Sequence, residues 1–268
     1  NDMILILNYS DEFAVEAARR LRGEQVFCKI ISGMTTAAQI AQAAPRGIVL
    51  CGEPQSAAGV FDAEILKLGI PVLALGHAAH MLITAMGGAC AGTAISHRKA
   101  SVQYAECRLF SSVEAGERYI QEAMTLMLPA DVQVTAGAGG CTIAFADDRR
   151  SLFGIQFELE RNDPDGSTIL KNFARDICGC MPWFTMDAAL AEARRMLADA
   201  SIEGGFAVCG VSGGVDSAVA AVLAHQAFGE RMTAIYVETG LMREGGNAAV
   251  QETFERLGIP LRVVDRAE

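Results

Sequence analysis

Short apolar runs alternate with longer amphipathic segments in the first part of the chain. Runs such as 4–7 and 47–50 lack the polar alternation of a strand that faces water on one side. Strands of this kind are typical of sheets covered by helices on both faces. The pattern therefore predicts a βαβα arrangement around a doubly wound, mostly parallel sheet. The predicted strands are 3–7, 26–31, 47–51 and 71–75, and the predicted helices are 12–22, 35–44, 62–68 and 78–86.

The middle of the chain predicts further strands in the same domain. These strands are 132–135, 141–146 and 152–157, with a Gly-rich turn at 137–140. The segment 119–128 has an apolar, helix-like pattern. A helix over 165–176, a Gly- and Pro-containing break at 179–182 and a helix over 187–200 follow. We place the domain boundary in that break, which gives domains 1–182 and 183–268.

The second domain repeats the α/β alternation. The predicted strands are 206–210, 232–237 and 261–264, and the predicted helices are 217–228 and 247–257. Three strands are few for a sheet of this kind, which usually has about five. We therefore expect residues 183–268 to be the N-terminal part of a larger domain.

Composition narrows the class of protein. The chain has 268 residues, 51% of them hydrophobic, and a formal net charge of -10. This acidic balance disfavours a nucleic-acid surface. No run approaches the roughly 20 apolar residues of a membrane span, and the N-terminus has no signal-peptide pattern, so we expect no membrane partner and a cytoplasmic protein.

The eight cysteines are scattered through apolar segments and predict reduced, mostly buried thiols. The close pair Cys178 and Cys180 has one intervening residue, which is not the spacing of a zinc knuckle. We therefore expect no metal there.

A loop between an apolar strand and a helix is the strongest candidate site. It consists of Ser212, Gly213, Gly214, Val215, Asp216 and Ser217. The start of a helix offers main-chain N–H groups to an anion, glycines allow close approach, and serine hydroxyls can donate. The two serines and the acid favour nucleotide binding over a plain strand-to-helix turn, and Ser217 can help to cap the helix. The loop has no Gly-Lys-Ser/Thr, so it is not a Walker A loop, and we expect Mg²⁺ and basic residues elsewhere to balance the phosphate charge.

Ser-Gly-Gly-Val-Asp-Ser with its flanks resembles the ATP pyrophosphatase family, and GMP synthetases in particular. The resemblance implies that the loop holds the pyrophosphate end of ATP, that adenine lies against Val237, and that xanthosine monophosphate is adenylated and then aminated to GMP. Relatives usually read Val-Asp-Asn-Gly where this chain has Val237-Glu238-Thr239-Gly240. This is a mild departure.

The same resemblance covers the front of the chain, which is similar to a class I glutamine amidotransferase. It implies a flavodoxin-like mixed sheet followed by a parallel-sheet ATP pyrophosphatase domain. The nucleophile and the base of that family are not matched, and only the orienting Glu remains, as Glu160. Gly76 stands at the position of the Cys nucleophile, and Glu158 and Glu160 stand where relatives have the His base and its orienting Glu. In addition, the oxyanion-side Gly-Gly-Pro turn reads Gly52-Glu53-Pro54. We therefore predict that the glutaminase is inactive.

Replacement groups near the lost nucleophile are conceivable. Cys51 ends a neighbouring strand, and His77 and His80 follow Gly76 closely, so a rebuilt Cys–His pair or a metal pair is an alternative. No third metal ligand is evident, and nucleophile, base and oxyanion donors must all meet within about 3 Å. Helix-surface or core histidines are the favoured interpretation.

Three functions remain open. The first is a GMP synthetase-like ligase that uses ATP, Mg²⁺, xanthosine monophosphate and ammonia that is free or supplied by another protein. The second is another ATP pyrophosphatase with a different acceptor. The third is a non-catalytic pseudoenzyme that binds nucleotide and regulates a partner. The resemblance places the xanthosine-monophosphate site and the dimerisation region beyond the point matching Glu268, so we expect this chain alone not to complete the reaction.

Overall fold

The structure is a computed structural model that describes residues 2–9, 11–52, 61–157, 159, 164–202, 204–238 and 246–265. The described strands are β1 Ile4–Asn8, β2 Cys28–Ser32, β3 Gly47–Cys51, β4 Val72–Leu75, β5 Ala89–Tyr104, β6 Gly116–Met127, β7 Gln133–Ala138, β8 Cys141–Asp147, β9 Leu152–Ile155, β10 Ala207–Val211, β11 Met232–Glu238 and β12 Leu261–Asp265. The α-helices are α1 Asp11–Gly23, α2 Ala37–Ala43, α3 Ala78–Ala85, α4 Pro164–Lys171, α5 Met186–Ile202, α6 Val215–Phe228 and α7 Gly246–Arg256. The chain divides into two compact units, Asn1–Phe184 and Thr185–Glu268.

The first unit is built on a mixed sheet with the order β2-β1-β3-β4-β9-β8-β7-β5-β6 among the described strands. The five strands from β2 to β9 in this order are parallel, and the remaining pairs are antiparallel. This confirms the predicted mixed α/β sheet.

The parallel strands are apolar because helices and turns cover both of their faces. In β1, Ile4 and Ile6 pack in one core cluster, whereas Leu5 and Leu7 pack in the other. Alternate residues of a strand point to opposite faces, so an unbroken apolar run supplies both clusters. All four side chains are at most 2% exposed.

The segment 119–128 is not a helix, and that prediction is wrong. It belongs to β6, which pairs with β5 in a long antiparallel hairpin. Ile120 and Ala123 lie three residues apart on this strand, and both are fully buried in the same core cluster. An apolar spacing of three imitates a helical pattern. Sequence patterns carried no signal for β5 either, because only Ile95 and Val102 along it are buried.

Smaller differences from the predicted elements also have local causes. The segment 62–68 forms a 3₁₀ helix, Ala63–Leu68, that begins at Asp62, whose carboxylate accepts the N–H of Glu64, and ends at Gly69 in the left-handed region. The helix of 165–176 is α4 followed by a π-helical stretch, Asn172–Ile177.

The second unit contains a parallel sheet of order β10-β11-β12 among its described residues. Its core includes Val211, Ala221, Tyr236, Val250 and Phe254. This confirms the predicted parallel arrangement. Across the described residues of the whole chain, no helix is both long and apolar enough to span a membrane.

One packing contact gives a stability prediction for the first unit. Gly154 on β9 lies opposite Phe145 on β8, and a Cβ at Gly154 would come within 2.2 Å of the buried Phe145 ring. We expect Gly154→Ala to lower the free energy of unfolding by about 1–3 kcal/mol, because the ring has to move within a packed core. Urea unfolding followed by the fluorescence of Trp183 measures it.

The matched control is Gly23→Ala in α1, where a Cβ would meet no atom within 4 Å. This variant should leave stability unchanged or raise it by up to about 1 kcal/mol, since alanine favours helix. Equal midpoints for the two variants would contradict the packing argument.

Candidate functional site

The loop after β10 leads into a helix whose first turn has no side-chain cap. Helix α6 begins at Val215, two residues earlier than predicted, and its N-cap residue Gly214 is extended with φ -81° and ψ 158°. A glycine at this position has no side chain that could accept the main-chain N–H groups of the first turn. Such N–H groups, with the positive end of the helix dipole, form an anion site.

The two serines of the loop contact each other. The Ser217 hydroxyl accepts the N–H of Ser212 at 3.2 Å and donates to the carbonyl of Gly214 at 3.0 Å. The Ser212 and Ser217 hydroxyl oxygens lie 3.4 Å apart. Ser217 therefore closes the loop from inside the helix and does not cap it, contrary to the expectation from sequence. Asp216, which directly precedes Ser217 in the chain, is exposed.

Gly213 is required by the geometry of the loop. Its φ is +82°, in the left-handed region, and a Cβ there would lie 2.7 Å from a methyl carbon of Val250 on α7. The loop main chain therefore approaches α7 as closely as packing allows.

A cavity of about 560 Å³ lies beside the loop within the second unit. This is within the usual range for small-molecule sites. Its lining residues are Ser212, Gly213, Gly214, Ala218, Tyr236, Gly246, Ala249, Val250, Thr253 and Phe254.

The structure brings the loop to Tyr236 and α7, and it leaves the side chain of Val237 outside the cavity lining. Tyr236 is 1% exposed and Val237 is 45% exposed, as expected for neighbours on opposite faces of β11. The sequence analysis missed Tyr236, Val250 and Thr253. Strand alternation on β11 and the helical spacing from Val250 to Thr253 are the signals that could have identified them.

In the first unit, Gly76 forms a sharp turn between β4 and α3. Its φ is +61°, it is buried, and its N–H donates to the carbonyl of Ile155 at 2.8 Å. A strand, a turn residue at positive φ and a helix form the geometry of a nucleophile elbow. The residue at the turn carries no side chain, so this elbow presents no nucleophile.

The β5–β6 hairpin is hydrogen-bonded to this elbow. His77 Nε2 donates to the Glu122 carboxylate on β6 at 3.0 Å, and the Thr93 hydroxyl on β5 donates to the other carboxylate oxygen at 2.8 Å. The hydrogen bond from His77 and then that from Thr93 lower the pKa of Glu122. We call these three residues the hairpin clasp.

A second set of bonds ties the same hairpin to β9. The buried Gln156 donates from Nε2 to the carbonyls of Met124 and Thr142 at 3.0 and 2.7 Å, and its Oε1 accepts the N–H of Met124 at 2.7 Å. His80 Nε2 lies 2.6 Å from the same oxygen. Because that oxygen can only accept, His80 carries its proton on Nε2.

The remaining predicted site residues are placed as follows. Glu158, Glu160, Glu53 and Pro54 lie outside the described residues. Cys51 is fully buried in the core of the first unit. No group of three His, Cys, Asp or Glu side chains within the described ranges is arranged to hold a metal ion.

Burial keeps the Cys178 and Cys180 thiols protonated. It raises the pKa of Cys178, and it raises that of Cys180 to about 12 with a contribution from Asp2. Thiols with such pKa values are poor nucleophiles and poor metal ligands at neutral pH.

The clasp gives a prediction of pH dependence. A carboxylate with a lowered pKa contributes stability that is complete above its unfolded pKa, near 4.5, and is lost as the pH falls through the folded pKa. Glu122→Gln should therefore be less stable than wild type at about pH 7, and the difference should shrink by about pH 3. Thermal unfolding across this range measures it.

The control is Glu117→Gln on the same strand, where the carboxylate is exposed. It should match wild type at every pH. A Glu122→Gln difference that stays constant with pH would contradict the role of the carboxylate charge.

Comparison with known proteins supports both halves of this description. The family model described as NAD synthase matches residues 192–268, which include the loop. A GMP synthase (glutamine-hydrolysing) from Rhodopseudomonas palustris strain HaA2 is 34% identical over 285 aligned positions, covering 100% of this chain and 52% of the relative. One from Limosilactobacillus reuteri strain DSM 20016 is 32% identical, covering 100% of this chain and 54% of the relative. The chain thus spans about half the length of the curated relatives that it matches.

Two solved structures have folds similar to about two thirds of this chain. A candidate GMP synthase component from Thermoplasma acidophilum matches with a TM-score of 0.59 at 18% identity, over 66% of this chain and 94% of its own. A glutamine amidotransferase from Thermotoga maritima matches with a TM-score of 0.53 at 10% identity, over 66% and 99%. At such identities the likeness concerns the fold. Over its whole length the chain is thus similar to about half of the length of the curated GMP synthases (glutamine-hydrolysing), and about two thirds of it has an amidotransferase-like fold.

Proposed function

We propose that the chain is part of a GMP synthetase-like ligase that uses ATP to adenylate xanthosine monophosphate and ammonia to convert it to GMP. The observation that carries the proposal is the uncapped start of α6, with Gly213 and two serine hydroxyls, beside a cavity of about 560 Å³. This arrangement supplies donors for phosphate oxygens and room for the rest of a nucleotide.

Each loop residue has a role in this proposal. Gly213 and Gly214 let the main chain approach the β- and γ-phosphates, and the N–H groups of the first turn donate to their oxygens. The hydroxyl of Ser212 adds a donor, whereas the Ser217 hydroxyl already donates to the carbonyl of Gly214 and holds the loop in shape. Adenine lies near the end of β11, where Tyr236 lines the cavity and the main chain of Val237 follows it.

Mg²⁺ fits the chemistry of the loop. The Asp216 carboxylate and the two serine hydroxyls are oxygen donors, and Mg²⁺ is commonly held by one or two carboxylates together with substrate phosphates. When bound, the ion would neutralise phosphate charge. Asp216 would hold it, since this residue is exposed and directly precedes Ser217 in the chain.

The proposed reaction has two balanced steps. An oxygen of the purine base of xanthosine monophosphate attacks the α-phosphorus of ATP, and pyrophosphate leaves. Ammonia then adds at the carbon that bears this oxygen, the added nitrogen loses one proton to solvent, and AMP leaves with the oxygen, so that an amino group remains on the base. The loop residues bind and orient the leaving pyrophosphate, which is the part of the chemistry that this chain carries.

We further propose that the amidotransferase-like domain, 1–182, no longer hydrolyses glutamine. Gly76 at the elbow provides no thiol, and Glu158 stands in place of the histidine base, so that only the orienting carboxylate, Glu160, remains. The hairpin clasp at His77, and the bonds of Gln156, support this proposal, because they hold β6 against the elbow where a substrate amide would have to approach. Ammonia is then free or comes from another protein.

The proposed reaction also indicates the ligands and the partners of the chain. The ligands are small molecules: ATP, xanthosine monophosphate and ammonia. A net charge of -10 disfavours nucleic-acid partners, and we propose a cytoplasmic location.

Turnover by the natural protein tests the reaction. GMP formation from ATP and xanthosine monophosphate should proceed with ammonium and should not proceed with glutamine, because no thiol is present at Gly76. Chromatographic detection of GMP and AMP measures it. Equal rates with both nitrogen sources would contradict the loss of the glutaminase. ATP binding without product from either source would favour a regulatory nucleotide-binding protein.

A loop variant tests the phosphate site. Gly213→Ala should weaken ATP binding by about tenfold or more, because a side chain at φ +82° is strained and its Cβ meets Val250. Isothermal titration with MgATP measures the dissociation constant. The control is Gly210→Ala on β10, where a Cβ meets no atom within 4 Å and the affinity should stay unchanged. Equal affinities in both variants would contradict the site.

A further inference from the structure

The cavity beside the loop has two chemically different walls. One wall is the phosphate-type loop, Ser212 to Gly214, and the other is a face of α7 formed by Ala249, Val250 and Thr253. The α7 wall offers aliphatic surface, and the Thr253 hydroxyl already donates to the carbonyl of Ala249 at 2.7 Å. A ligand with an anionic end and a flat, less polar end suits such a cavity. The nucleoside of ATP has that character.

The side chain of Asn247 links the α7 wall to the sheet by hydrogen bonds to Tyr236 and Glu238, and we call this pair of bonds the tie. The hydroxyl of Tyr236 on β11 donates to Oδ1 of Asn247 at 2.8 Å, and Nδ2 of Asn247 donates to the Glu238 carboxylate. The carboxylate can only accept, so it fixes the orientation of the Asn247 amide and makes Oδ1 the acceptor for Tyr236. Asn247 is in the first turn of α7.

Tyr236, a residue of the sheet to which Asn247 is bonded, is held rigidly. β11 is paired on both sides, with β10 and with β12, and the Tyr236 side chain is 1% exposed. The ring of Tyr236 also lines the cavity. Asn247 therefore fixes the start of α7 to the same strand that forms the cavity floor.

The separation of the two walls is sensitive to the position of α7. A Cβ at Gly213 would lie only 2.7 Å from Val250, so the loop and α7 are already in close contact there. A shift of α7 changes the space between the two walls and leaves the N–H and hydroxyl donors of the loop in place.

We infer that Asn247, held by Tyr236 and Glu238, is a positioning residue that sets the α7 wall for the nucleoside part of ATP. This inference rests on the proposed function, since ATP is the ligand. The phosphates bind to the loop, whose geometry depends on Ser212, Gly213 and Ser217. Loss of the tie should therefore weaken ligands that contain the nucleoside and spare pyrophosphate.

The test compares three probes on the full chain: MgATP, AMP and magnesium pyrophosphate, by isothermal titration. Tyr236→Phe removes the hydroxyl and keeps the ring, and Asn247→Ala removes the amide. Both should raise the dissociation constants of ATP and AMP by about tenfold, as for a lost buried hydrogen bond, and change that of pyrophosphate by less than about twofold. The double variant should be no weaker than Asn247→Ala, because the two residues act as one unit.

The control is Gln251→Ala, which removes an exposed amide one turn further along α7 and should bind all three probes as wild type does. Unchanged ATP affinity in Tyr236→Phe and Asn247→Ala, or equal weakening of ATP and pyrophosphate, overturns the inference while the proposed function stands. Absence of ATP binding by the wild-type chain overturns both.

Discussion

In a parallel sheet that is covered on both faces, polar functional side chains can be placed only at the edge where the strands end. In β1 the residues alternate between two apolar clusters, so no polar side chain can stand on either face without a buried partner. The turns after the strands are free of this restriction. The elbow at Gly76 follows β4, and the loop from Ser212 to Ser217 follows β10, so both candidate sites occupy the positions that this constraint allows.

The same constraint explains what the sequence predicts well. Unbroken apolar runs identified β1 and β3 because both faces of these strands are buried, and the glycines identified the loop because Gly213 has a left-handed main chain that favours glycine. The β5–β6 hairpin escaped prediction, since Ile120 and Ala123 are both buried at a helical spacing and most of β5 is exposed. The tie from Tyr236 to Asn247 also escaped, because it joins residues across a helix start and depends on where α7 lies, which local patterns do not encode.

The turn at Gly76 has the geometry of a nucleophile elbow although glycine has no side chain. Gly76 keeps φ +61° and a hydrogen bond to Ile155, both of which the passage from β4 to α3 needs for packing. A nucleophile at such a position carries backbone strain, which glycine does not. His77 and His80, which follow this turn, hydrogen-bond to Glu122 and Gln156, so both histidines are part of the hydrogen-bonded framework around the elbow.

The electrostatics of the second unit limit how a triphosphate could be held. The residues that line the cavity include no Lys or Arg among those described, and the chain as a whole carries a charge of -10. The start of α6 offers the equivalent of about half a positive charge, far less than a triphosphate requires. Main-chain N–H groups orient the phosphate oxygens and contact them closely, but they do not neutralise the charge of three phosphates. For the proposed function, the remaining charge would be balanced by Mg²⁺ and by basic residues outside this lining, and the Mg²⁺ complex of ATP is therefore the form of the ligand that suits the site.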